Sequence, residues 1–199
     1  MMQRLLMASG NAGKLREFRG IASQHAPEMH LDLIPGFAQI PPCIESAPTF
    51  AENAAAKALH YSRYTELPIF ADDSGLAVDA LGGAPGVQSA RYAGPNASDA
   101  DRVAKLLDEL RAAGANNRRA CFVCVLALAQ RGQILAIISD AVEGIIADQP
   151  RGGGGFGYDP VFVIPELGKS FSELAGDMKH RYSHRGKAFR KLLRHVTQL

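Results

Sequence analysis

Apolar positions along the chain change their repeat several times, and each change marks an element. Arg4 to Ala8 is a short apolar run that reads as a strand, and Lys14 to about Ser23 follows with Leu15, Phe18 and Ile21 or Ala22 on one helical face. Thr49-Phe-Ala-Glu52 has the spacing of a capping box, and Phe50, Ala54, Ala58 and Tyr61 continue as the apolar stripe of a helix. Pro68 to Ala71 predicts a short strand that stops at Asp72-Asp73-Ser74-Gly75, after which Leu76 to Leu81 resumes an apolar pattern. Ser98 caps a helix to about Ala113 that turns Val103, Leu106, Leu107 and Leu110 inward. Ala120 to Gln130 and Gln133 to Ala147 are β-rich runs on either side of Arg131-Gly132, the pattern of an antiparallel hairpin in the core or at a subunit interface. The chain closes on a helix with Ala188, Phe189, Leu192, Leu193 and Val196 on its buried side.

Composition narrows the possibilities. With 199 residues, 47% hydrophobic and 21% charged, the chain suits one globular domain with a sizeable core. A formal net charge of +2 is too small for bulk affinity to nucleic acid or membrane, although the stretch from Lys179 onward is strongly basic. The longest apolar run, Phe122 to Ala129, falls far short of the roughly 20 residues a bilayer requires. Ser9-Gly10-Asn11 ends the first apolar run too early for a secretory signal, so a cytoplasmic location is expected. Cys121 and Cys124 have CxxC spacing, but a strand points residues three apart to opposite faces, which favours a plain buried strand over a redox or zinc site.

Candidate chemistry lies where the apolar runs break off. Ser9-Gly10-Asn11-Ala12-Gly13-Lys14 joins a strand to a helix; Asn11 can cap the helix, and its first-turn amides with Lys14 suit an anion. A P-loop kinase or GTPase is not expected, because Ala8 stands where its first glycine belongs and Leu15 where its Ser or Thr would hold magnesium. Asp72 and Asp73 repel each other unless a cation, protonation or solvent relieves them. Asn53 and Lys57 share a helix face that could look toward a ligand, Lys57 alone reading as a surface lysine, while Glu52 reads as a cap. The run Gly152 to Gly155 suggests close approach by a ligand or simple mobility. Phe156 and Tyr158 beyond it could stack on a flat base, with Asp159 accepting hydrogen bonds. His184 and Arg185 precede the last helix and could point into a pocket.

In order, SGNAGK, TFAENAAAKA (Thr49 to Ala58), ADDSGLAVDALGGAPGVQSARYAG (Ala71 to Gly94), FGYDPVF (Phe156 to Phe162) and SHRGKA (Ser183 to Ala188) closely resemble the house-cleaning purine nucleoside triphosphate pyrophosphatases, the inosine and xanthosine triphosphatase family. The resemblance spans nearly the whole chain. It implies an α/β fold with an elongated mixed sheet and flanking helices, two lobes around a central substrate cleft, and a homodimer. The implied reaction is hydrolysis of ITP, dITP or XTP between the α and β phosphates, with Mg²⁺ as cofactor. By that resemblance Asp73 is the general base and a metal ligand, Glu45 a second acidic group near the metal, and Asp72 and Ser74 are pocket or phosphate contacts. Ser9 to Lys14 and Lys57 hold the triphosphate, Phe156, Gly157, Tyr158 and Asp159 pack and position the base, and Lys179, His184 and Arg185 read it. The family's paired glutamates before the TFxENA-like motif are here a single Glu45 after Ile44. A pyrophosphatase for another modified nucleotide and a nucleotide sensor without hydrolysis are the competing readings; neither nucleic acid nor membrane is an expected partner.

Overall fold

The computed structural model describes residues 4–114 and 116–198. Among them the order is β1 (Arg4–Ala8), α1 (Ala12–His25), β2 (His30–Leu33), α2 (Phe50–Tyr61), β3 (Ile69–Val78), α3 (Asp99–Ala112), β4 (Arg119–Gln130), β5 (Gln133–Ile146), β6 (Phe162–Ile164), β7 (Lys169–Ser170), α4 (Gly176–Tyr182) and α5 (His184–Thr197). The strands form one sheet in the order β2-β1-β3-β4-β5-β6-β7. β1 runs parallel to β2 and β3, whereas β6 is antiparallel to β5 and β7, so the α/β sheet is mixed. Between β4 and β5 the turn residues Arg131 and Gly132 both have positive φ, 50° and 74°. That is the two-residue hairpin turn whose twist matches the flanking strands. No helix among the described residues is long and apolar enough to cross a membrane.

The chain divides into two compact units. The first comprises the chain through Asp73, Cys124–Asp140 and the chain from His184 onward; the second comprises Ser74–Val123 and Ala141–Ser183. Each buries its own apolar cluster. In the first, Phe18 of α1, Phe70 of β3 and Phe189 of α5 meet edge to face or tilted, with centroids 4.8–5.3 Å apart, the arrangement that aromatic quadrupoles favour. In the second, Phe162 lies 4.5 Å from Phe122 and 5.2 Å from Phe171, beside Val103, Leu106 and Leu110 of α3.

Three element boundaries differ from the sequence pattern. α1 starts at Ala12 because Asn11 is its cap, its side chain accepting from the Lys14 amide at 3.0 Å, and runs to His25 because nothing before Pro27 stops it. α5 starts at His184 itself, so His184 and Arg185 form its first turn instead of preceding it. The largest difference is β3, one ten-residue strand that passes through Asp72-Asp73-Ser74-Gly75 without stopping. β1 pairs with it only from Leu6↔Ile69 to Ala8↔Ala71, so the aspartates lie just past the end of the neighbouring strand. The strand continues because its acidic residues find cations, as described next. Farther along, the Leu76 amide donates to Ser89 Oγ at 2.9 Å, covering the strand where β1 is absent.

Candidate active site

Strand alternation separates the two aspartates. Asp72 shares a face of β3 with Phe70, which packs against α1 and α5, and Asp73 is turned to the other face. Each meets its own lysine: Asp72 Oδ2 is paired with Lys14 from the first turn of α1, and Asp73 Oδ1 lies 3.6 Å from Lys57 Nζ of α2. The repulsion foreseen between adjacent carboxylates is therefore eased, though not abolished, by two built-in cations.

Lys57 is buried, contrary to its reading as a surface lysine. Its ammonium donates to Glu45 Oε2 at 2.9 Å and to the backbone carbonyl of Asp72 at 2.7 Å. Burial by itself would lower its pKa, but Asp73, Glu45 and Asp72 outweigh that and hold the lysine charged. Asn53, four residues earlier, is spent on structure: its amide side chain bonds the Ala47 amide and carbonyl at 3.0 and 3.2 Å, fixing the segment that carries Glu45.

The two aspartates titrate in opposite directions. For Asp72 burial pushes the pKa up, yet Lys14, then Arg185 and Lys57, hold it well below the usual carboxylate range. For Asp73 burial is again the largest influence; Lys57 opposes it, Asp72 and Glu45 add to it, and the pKa ends above its ordinary value. Asp73 Oδ2 is buried and takes no hydrogen bond among the described residues. A divided pair of this kind is what acid–base chemistry requires, one carboxylate fixed as an anion and the other able to exchange a proton.

In the SGNAGK turn, Ser9 Oγ accepts from the Asn11 amide at 3.1 Å, and the Asn11 cap leaves the Ala12 and Gly13 amides at the open end of α1. Gly10 is exposed on the same turn. Arg185 and His184 are buried at the start of α5; Arg185 Nη1 donates to Glu17 Oε2 at 2.7 Å. Two neighbours escaped the sequence pattern. Glu17 stands at a helix position that a surface acid would fit, and Cys124 reads only as one apolar residue among many, yet its thiol donates to Asp72 Oδ1 at 3.2 Å.

The second unit holds the remaining candidates. Lys179 of α4 is buried, donates to Asp159 Oδ2 at 2.7 Å and lies 4.8 Å from the centroid of the Phe156 ring. The same carboxylate oxygen accepts the Phe156 amide at 2.8 Å, while the Gly157 amide donates to Asp99 at 2.7 Å. Phe156 remains partly exposed, as a stacking ring must be, and Ser74 is partly buried in β3. Tyr158 corrects the expectation of a second stacking ring: it is 4% exposed, lies in the core cluster, and its hydroxyl donates to the Ser89 carbonyl at 2.9 Å.

The glycine run also has another reason than the ones foreseen. A side chain at Gly152 would meet the Ser172 backbone at 2.6 Å, and one at Gly155 would strike the Asp159 carboxylate. Both have φ of +77°. The close approach is by the protein's own chain. Gly155→Ala is accordingly expected to cost about 1–3 kcal/mol, through left-handed strain and displacement of Asp159 from Lys179. A melting temperature equal to that of the unsubstituted protein would refute that role.

The sequence model of one family matches residues 5–195 of this chain, and the chain belongs to it: the Ham1 family. The dITP/XTP pyrophosphatase of Geobacillus kaustophilus is 49% identical over 191 residues, covering 96% of this chain and 93% of that one. The protein of that name from Gloeobacter violaceus is 48% identical, covering 97% and 94%. Among solved structures, a HAM1 protein from Coxiella burnetii is 41% identical with a TM-score of 0.89 over the full length of both chains. The Staphylococcus aureus Ham1 protein is 37% identical with a TM-score of 0.85 over 98% of each.

Proposed function

We propose that this chain hydrolyses ITP, dITP and XTP to the nucleoside monophosphate and pyrophosphate, clearing deaminated purine nucleotides from the nucleotide pool. The observation that carries the reading is the pair of seated lysines with Asp73 between burial and charge, its Oδ2 buried and unbonded. The curated relatives named for this activity, which match nearly end to end, support it.

In this reading Lys14, Lys57 and the amides of Ala12 and Gly13 take the triphosphate oxygens. Asp73 and Glu45 form an all-oxygen donor set, and among the described residues no group of three or more His, Cys, Asp or Glu could hold a metal. Two carboxylates suit Mg²⁺, which keeps several waters and takes other ligands from phosphate. Its contribution when bound is to offset phosphate charge. The unbonded Oδ2 of Asp73 accepts a proton from the attacking water as the water oxygen bonds to phosphorus and the α–β bridge breaks, releasing pyrophosphate.

Base choice would fall to Phe156 as a stacking ring with Lys179 as a donor beside it, and His184 and Arg185 keep the base-reading role that the resemblance implies. Cationic donors suit the 6-keto oxygen of hypoxanthine or xanthine, whereas the 6-amino group of adenine would leave them unpaired in a desolvated site. Such a mismatch is worth orders of magnitude in kcat/KM. A homodimer is also part of the proposal, and Leu135 and Ile137, exposed on one face of β5, offer an apolar surface for it.

The test is kcat/KM for ITP, dITP, XTP, GTP and ATP measured side by side with Mg²⁺. The expected result is at least a ~100-fold preference for the first three over ATP. Equal turnover of ATP would remove the base-reading assignment.

A further inference from the structure

We propose that Asp72 is a positioning residue that aims the Lys14 ammonium at its working place and touches neither substrate nor metal. The inference rests on the reading of Lys14 as a phosphate-holding cation. Three observations carry it. First, both carboxylate oxygens are engaged inside the protein: Oδ2 by Lys14 and Oδ1 by the Cys124 thiol at 3.2 Å. Second, the Asp72 side chain is 0% exposed, whereas its lysine partner keeps 18% of its side chain in contact with solvent, so only the lysine is in a position to meet a ligand. Third, Asp72 shares the face of β3 that Phe70 packs against α1 and α5, away from the face of Asp73 and its unbonded oxygen.

The chemistry of the partners fits the same role. A phosphate brought against an ionised carboxylate is repelled, but one brought against a lysine that a carboxylate already orients meets a cation with its motion prepaid. Lysine is a flexible point charge on a four-carbon stem and needs such an anchor more than arginine does. Cys124 suits the second oxygen because a thiol donates a hydrogen bond without bringing a further charge that would compete with Lys14 for the carboxylate. Lys57 is also held by Asp72, but through the backbone carbonyl, so a side-chain substitution leaves that contact in place.

A double-mutant cycle on ITP hydrolysis separates a positioning role from direct contact. Lys14→Met and Asp72→Asn should each lower kcat/KM about 10- to 100-fold, chiefly through KM. The double variant should stay within about 3-fold of Lys14→Met, because an anchor is worthless once its lysine is gone. A double variant whose loss is the product of the two single losses would show that Asp72 contacts the reactants independently and would overturn the proposal.

A second readout needs no substrate. An ammonium seated on a buried carboxylate is held back from reagents in solution, so acylation of Lys14 by acetic anhydride, followed by peptide mass spectrometry, should be several-fold faster in Asp72→Asn. An unchanged Lys14 rate overturns the proposal. Should Asp72→Asn not fold, Cys124→Ala serves: it should speed Lys14 acylation and Cys124→Ser should restore the slow rate, and equal rates in all three proteins count against it. A protein that releases no pyrophosphate from any nucleotide defeats the functional reading, and the acylation rates still decide the positioning role.

Discussion

Replacing Asp73 with Asn is expected to lower turnover by about 10²–10⁴-fold, the range of a lost general base, without lowering the melting temperature. The first half follows from the loss of an oxygen that can take a proton. The second follows from the pKa. Burial, with help from Asp72 and Glu45, raises the Asp73 carboxyl above its ordinary value of 3.8 in spite of Lys57. An acid whose folded pKa is raised binds its proton more tightly folded than unfolded, so its contribution to stability declines as pH rises from about 3.8 through the folded value. At neutral pH the ionised side chain is thus a stability cost, and the uncharged amide of Asn relieves it. Thermal melts and pyrophosphate release measured on one preparation check both halves; a variant that is inactive because it is unfolded would refute this account of Asp73. The same raised pKa moves the acid limb of the wild-type kcat/KM profile upward from the ordinary aspartate value, and Asp72, held low, adds no second limb there.

Lys57→Met should produce the largest loss of stability among single substitutions at the site. The side chain is 10% exposed, and its ammonium serves Asp73, Glu45 and the Asp72 carbonyl together. Removing one partner of a buried ion pair costs about 3–5 kcal/mol, because the charge left behind is uncompensated. For a chain of this size that corresponds to roughly 6–20 °C in melting temperature. Glu45, with 35% of its side chain exposed, is partly screened by solvent, so Asp73 supplies more of the loss. The pH dependence has a definite sign. The folded pKa of Lys57 is raised above its ordinary 10.5, so the stability it contributes is fully present below 10.5 and is lost as pH rises from there through the folded value. In the variant the uncompensated carboxylates are neutralised in acid, so its deficit against wild type should shrink as pH falls toward 4. A deficit that does not change between pH 8 and 4 would show that packing of the lysine stem, rather than charge, is what Met fails to replace.

Much of this molecule was legible in its sequence, for physical reasons that also explain what was not. Helices α1, α2 and α3 announced themselves through side-chain caps at Asn11, Thr49 and Ser98 followed by regular apolar stripes, all signals carried by adjacent residues. The hairpin of β4 and β5 was equally local. The strand through Asp72 and Asp73 was hidden because acidic residues end a strand unless distant cations meet them, and Lys14 and Lys57 come from two separate helices. Lys57 looked like a surface residue for the same reason, its partners being 12 and more positions away. Tyr158 and Phe156 stand two apart and look equivalent in sequence, and residues distant in the chain, the Ser89 carbonyl and the apolar cluster of the second unit, commit Tyr158 to the core. Glu17 and Cys124 left no local trace, since each pairs with a residue distant in the chain, Arg185 and Asp72.

In the proposed function these residues cleave the α–β anhydride of a deaminated purine nucleoside triphosphate, with Asp73 taking the proton. The most direct measurement is the product set from ITP and Mg²⁺, separated for the wild type and for Asp73→Asn in parallel. Equimolar IMP and pyrophosphate from the wild type, with neither formed at a comparable rate by the variant, is the expected result. IDP with inorganic phosphate, or undiminished pyrophosphate release by Asp73→Asn, would contradict it.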